Sequence, residues 1–190
     1  MIILGLRVHQ IAVRQPVLRL LRVIMGTAVM SLGAPLALSL SWSPVPLSIH
    51  PALCILLSML MGRAAGWSML LFVLEGTLGA PVFAGCSAGW GVLVGPTGGY
   101  LIGYILAATC TGWAFERLSL QRVWQRWLTI CLGSSIILGC GALHLQQWVG
   151  WEAAWLQGIV PFLIGDLIFR PIVLESLRSG YNRYFLNGCR

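Results

Sequence analysis

The sequence contains no lysine and only five acidic residues among 190, and charged residues of every kind make up 9%. Soluble domains carry roughly a quarter, so a solvated globular chain is excluded. Without lysine there is no phosphate-gripping P-loop. Gly95-Pro96-Thr97-Gly98-Gly99-Tyr100 resembles one only superficially, because no lysine follows and the setting is apolar. The six cysteines show no Cys-x-x-Cys or Cys-x-x-His spacing, so neither a metal site nor a disulfide framework is expected. They read as small apolar filler. Neither Gly-x-Ser-x-Gly nor His-Glu-x-x-His occurs. No catalytic constellation, cofactor or enzymatic activity is therefore expected. The N-terminus is not a convincing signal peptide: the apolar opening at residues 1–6 is short, and Arg7, Arg14, Arg19 and Arg22 follow it instead of preceding it.

What is present is apolar. Hydrophobic residues make up 58% and the mean hydropathy is +0.86, which predicts an all-α membrane protein. At about 20 residues per span, the length suits six transmembrane helices. The expected order is a basic arm at 1–22, spans at about 23–42, 50–62, 64–78, 98–115, 127–145 and 153–177, and a tail at 178–190. The net charge of +7 comes from arginines clustered between apolar runs, the positive-inside pattern, and does not point to nucleic acid. The arm, Arg63, the 116–126 loop and the tail hold eleven of the twelve arginines and the opposite loops hold none, so both termini are expected in the cytoplasm. Gly33, Ala37 and Ser41 recur every fourth residue in the first expected span. Such a smooth stripe serves either packing within the bundle or docking of a partner membrane protein.

The centre of the sequence is a 40-residue run, 76–115, free of Asp, Glu, Lys, Arg and His and rich in glycine. It is too apolar for a solvated loop and too rich in glycine for an ordinary helix. Irregular backbone at membrane depth is tolerated where it is buried or lines a cavity. Residues 79–97 are therefore expected to fold in over a ligand pocket, with a helix starting near Gly98. Two charges interrupt the last expected span: Asp166 and Arg170, four residues apart on one helix face. Each costs about 2.5–3.5 kcal/mol at a helix centre, which makes both functional candidates, the alternative being a structural pair. Pro161, Gly165 and Pro171 should interrupt that helix, as in transporters whose broken helices meet substrate near the midplane. Glu75, His50 and Tyr100 are further candidates, each with an ordinary explanation: Glu75 at the interface, His50 as a helix-end histidine, Tyr100 as packing. His144 reads as a helix-end histidine.

The blocks Pro81-Val82-Phe83-Ala84-Gly85, then Gly95-Pro96-Thr97-Gly98-Gly99-Tyr100-Leu101-Ile102-Gly103-Tyr104 and Ala107-Ala108, resemble the signature of the BioY family, the substrate-binding S components of energy-coupling factor (ECF) biotin transporters. Val45-Pro46-Leu47-Ser48-Ile49 and Pro161-Phe162-Leu163-Ile164-Gly165-Asp166-Leu167 are similar to two further family segments, so the resemblance covers roughly residues 25–177. It implies a six-helix S-component bundle in the cytoplasmic membrane with an externally accessible biotin pocket. It also implies an EcfT-type transmembrane coupling protein and a pair of ABC-type ATPases as partners. The chain departs from the family at His50, where Gln is frequent, at Glu75, usually apolar, and at Phe169-Arg170, where the family's Lys falls one position earlier. The expected site comprises Asp166 for the ureido N–H groups and Arg170 for the carboxylate. Phe83, Trp90 and Tyr100 would form apolar walls, and Gly85, Thr97 and Gly98 the close-packed loop, with His50 and Glu75 at the cavity. Gly33, Ala37 and Ser41 would meet the coupling protein. The rival readings are an S component for another small vitamin and an intramembrane enzyme using Asp166 with a histidine.

Overall fold

The computed structural model describes residues 2–118 and 122–164, with side chains over 16–118 and 122–163. Asp166 and Arg170 lie outside the described residues. Helix α1, Ile2–Leu32, is continuous, with Pro16 inside it. The expected arm at 1–22 is therefore no separate segment, and the first span stops ten residues short of 42. Pro35 follows closely on the end of this helix and keeps it from continuing. It lacks an N–H and pushes Ala34 away from helical φ/ψ.

The chain then forms a hairpin, β1 (Ala37–Leu38) antiparallel to β2 (Leu47–Ser48), with Ala37 opposite Ser48. The smooth helical stripe expected from Gly33, Ala37 and Ser41 does not exist. Gly33 lies in the turn after α1, Ala37 in β1 and Ser41 in a turn of the hairpin loop. A Cβ on Gly33 would stand 2.9 Å from Leu53 and 3.2 Å from Ile49, so this glycine serves internal packing.

Helices α2 (His50–Met61) and α3 (Ala64–Thr77) follow, close to the expected second and third spans. Their connecting turn is held from α5 (Gly98–Arg117): the Arg63 N–H donates to Glu116 Oε2 at 2.9 Å. The third helix packs on α1 through small and polar residues. Gly26 abuts Ser68, Thr27 Oγ1 lies 3.1 Å from the Ser68 carbonyl, and Ser68 Oγ lies 3.1 Å from the Val23 carbonyl. Such contacts are the usual adhesive between helices in lipid, where no hydrophobic drive separates helix from solvent.

Residues 79–97 contain a 3-10 turn (Ala84–Cys86) and a short helix α4 (Trp90–Val94). The expected fifth span is α6 (Val123–Val149). It packs along α5 at backbone distance: a Cβ on Gly99 would stand 2.5 Å from the Cys140 carbonyl oxygen, and one on Gly103 3.0 Å from Ile137 Cα. The expected sixth span opens as α7 (Trp151–Gly158), breaks at Ile159 and resumes as α8 (Val160–Ile164). The interruption expected from Pro161 is thus present, upstream of the two charges. Among the described helices α6 is long and apolar enough to cross a bilayer alone, while α2 and α3 are apolar but shorter.

The tryptophans mark both ends of the bundle. Trp67, Trp113, Trp124 and Trp127 sit at helix ends beside the Arg63 turn and the 117–126 arginines. Trp42, Trp90, Trp148, Trp151 and Trp155 sit at the hairpin end. Two girdles separated by an apolar band are what a membrane-embedded bundle presents.

Candidate ligand-binding site

At the hairpin end, the bundle forms a half-open chamber of about 310 Å³, within the size range of small-molecule pockets. Its walls come from seven places. The hairpin contributes Pro44, Val45, Pro46 and Ser48, the start of α2 His50 and Pro51, and α3 Phe72. The 79–97 loop contributes Phe83, Ala84, Ser87, Gly91, Val92, Gly95, Pro96 and Thr97. Tyr100, Leu101 and Tyr104 of α5, Ile137 and Leu138 of α6 and Phe162 of α8 complete it. Among the described residues, none that lines it carries a formal charge.

The loop is fastened at several points. The Gly89 N–H donates to the Gly76 carbonyl at 2.8 Å, and the Gly85 N–H to the Ala34 carbonyl at 2.9 Å. His144 Nε2 lies 3.1 Å from the Gly95 carbonyl oxygen, joining α6 to the loop. Gly85 has φ +69 and Gly89 φ +93, a backbone region that glycine enters without steric cost.

An aromatic row lines one wall. Phe72 meets Phe83 edge-on with centroids 5.5 Å apart, and His50 lies 5.4 Å from Phe72 and 6.5 Å from Tyr104. Such pairs favour edge or tilted geometry because of the ring quadrupole. His50 is 2% exposed, and its ring neighbours the Met30 and Val82 carbonyls. Nothing among the described residues meets hydrogen-bond geometry at Nε2. A buried polar atom left so is costly, and a bound molecule in the chamber is one way to satisfy it.

Of the expected site residues, His50, Phe83, Thr97 and Tyr100 come together in this wall. Four others do not. Trp90 is 66% exposed on the outer side of α4, in the aromatic girdle. Gly85 is exposed and ties the loop to Ala34. Gly98 is filled against α4, where a Cβ would fall 1.7 Å from the Leu93 carbonyl oxygen. Glu75 accepts the Ser31 hydroxyl between α1 and α3, away from the chamber. Sequence reasoning missed the hairpin wall, Phe72, Tyr104 and Phe162. Tyr104 carried a signal, lying one turn after Tyr100 on the same face; the hairpin carried one in its paired prolines, Pro44 and Pro46.

The BioY family profile matches residues 8–181. The chain belongs to the BioY family. A Pyrococcus horikoshii protein named "Probable biotin transporter BioY" is 35% identical over 142 residues, covering 74% of this chain and 82% of that protein. Among solved structures, an S component for biotin from an ECF-type ABC transporter superposes with a TM-score of 0.76 at 22% identity, covering 87% of this chain and 93% of that one. The fold is thus the S-component helical bundle. Membership makes the chain a membrane-embedded transporter component with no enzymatic activity of its own.

Proposed function

We propose that this chain captures biotin in the hairpin-end chamber, as the substrate-specific S component of an ECF-type transporter. The observation that carries the reading is the half-open chamber itself, built in a BioY-family chain with the motif residues Phe83, Thr97 and Tyr100 in its wall. The apolar wall suits the bicyclic ring. His50 offers a polar contact. A ligand carboxylate in an apolar enclosure requires a paired cation, and the described wall carries none. Arg170, which grips carboxylates bidentately, fills that role in our reading, with Asp166 accepting the ureido N–H groups.

In this reading the chamber end faces outside, both termini lie in the cytoplasm and the membrane is the cytoplasmic one; the positive-inside pattern of the arginines supports it. The partners implied are an EcfT-type coupling protein and a pair of ABC-type ATPases. The test is equilibrium binding of labelled biotin to the purified protein, with other vitamins as competitors. Biotin should compete alone, and Asp166→Asn and Arg170→Ala should each weaken binding at least tenfold, on the order expected for a charge-assisted contact. Parent-like binding by both variants refutes the assigned roles, and displacement by another vitamin refutes biotin as the substrate.

A further inference from the structure

The break in the last described helix leaves two carbonyls without helical donors. Pro161 has no N–H, so the Gln157 carbonyl four residues earlier receives no bond from it. The Phe162 N–H turns to the Ile159 carbonyl at 3.0 Å, which leaves the Gly158 carbonyl without its donor as well. Side chains from distant elements take up both. The Tyr100 hydroxyl donates to the Gly158 carbonyl at 2.8 Å. Ser43 Oγ lies 3.1 Å from the Gln157 carbonyl oxygen and 3.3 Å from that of Val45, and it accepts the Val45 N–H at 3.1 Å.

The surrounding space is shaped for this arrangement. A Cβ on Gly158 would stand 2.7 Å from the Tyr100 hydroxyl oxygen, and one on Gly141 2.2 Å from the Tyr100 ring. Tyr100 and Val45 line the chamber, whereas Ser43 does not. Phe162, in the resumed helix, faces the Tyr100 ring at a centroid distance of 6.5 Å.

We infer that Ser43 and Tyr100 are positioning residues for the interrupted helix. They satisfy its freed carbonyls from the hairpin and from α5, and so fix where the chain resumes relative to the chamber wall. The direction from which Phe162 meets the chamber is set by these two bonds. Pocket shape and helix break become one mechanical unit. The consequence for affinity rests on the biotin reading; the fixing of the helix does not.

The experiment pairs two readouts on the full-length protein in lipid nanodiscs: amide hydrogen exchange across residues 155–164 without ligand, and association and dissociation rates of labelled biotin. Ser43→Ala and Tyr100→Phe should each speed exchange after the break roughly three- to tenfold, the loss expected for one buried hydrogen bond. Each should also raise the biotin dissociation rate by a similar factor. Ser43→Thr, which keeps the hydroxyl, should restore both. Because Ser43 is outside the chamber wall, its effect on biotin cannot be a lost direct contact. Unchanged exchange in both single variants overturns the inference, as does faster exchange with parent-like biotin kinetics. Failure of the parent to bind biotin counts against the substrate assignment, while the ligand-free exchange comparison still decides whether the two bonds fix the helix.

Discussion

Replacing Gly76 with alanine should damage ligand binding more than folding. A Cβ at this position would stand 2.2, 2.4 and 2.7 Å from three atoms of the Phe83 ring. Carbon atoms in contact sit about 3.5–4.0 Å apart, so the ring must retreat by more than about 1 Å. Phe83 is 1% exposed, its edge is held by Phe72, and its open side is the chamber. In the empty protein the ring can move into that space. Overpacking costs about 1–3 kcal/mol, and alanine returns up to about 1 kcal/mol of helix propensity relative to glycine, so the net loss of stability is about 0–2 kcal/mol. With ligand in the chamber the retreat is blocked and the full conflict appears. At about 1.4 kcal/mol per factor of ten, the dissociation constant should rise roughly ten- to a hundredfold. The assay is equilibrium biotin binding, with gel-filtration profile and circular dichroism as checks of folding. Phe83→Leu in the Gly76→Ala background should recover part of the loss, giving a strongly non-additive cycle. Parent-like affinity in Gly76→Ala, or strict additivity in the double variant, refutes the reasoning.

Two further outcomes follow from the wall and the loop. His50→Leu should weaken biotin binding about tenfold, the scale of a lost buried polar contact, and His50→Gln should bind closer to the parent; equal binding by all three would show that Nε2 meets no ligand. His144→Ala removes the contact to the Gly95 carbonyl and should speed both biotin release and thiol labelling at the exposed Cys86 several-fold, so unchanged labelling would show that His144 does not hold the loop.

The helices were legible where apolar length and arginine punctuation agree. Arg63 marked the turn between α2 and α3, and the glycine run marked a folded loop followed by a helix from Gly98, as found. The first span was misread because Gly33, Ala37 and Ser41 keep a helical spacing across a segment that Pro35 has already ended. Spacing carries no information about where the backbone stops being helical. The site was half legible. Tyr100 stood out beside the glycine turn, and Phe83 and Thr97 came in with the motif blocks that carry the resemblance, but Trp90 and Gly85 belong to the same stretch and face elsewhere, since neither composition nor motif says which side of a loop turns inward. Glu75 looked like a cavity charge because an isolated carboxylate in apolar sequence demands a partner. Its partner is Ser31, 44 residues away and invisible to any local pattern. Phe72 and Phe162 reach the chamber only through tertiary packing.

The first helix carries a consequence of its own. At 1.5 Å per residue its 31 residues make a rod roughly 46 Å long, against a hydrocarbon layer of about 30 Å. Upright, the rod exceeds that layer by about 16 Å, some three turns, and the arginine nearest its start, Arg7, falls in the excess, with Arg14 close to the boundary. A rigid stave gripped along α3 at one end and loaded with cations at the other converts any rocking of the bundle into a sweep of charge across the phosphate plane.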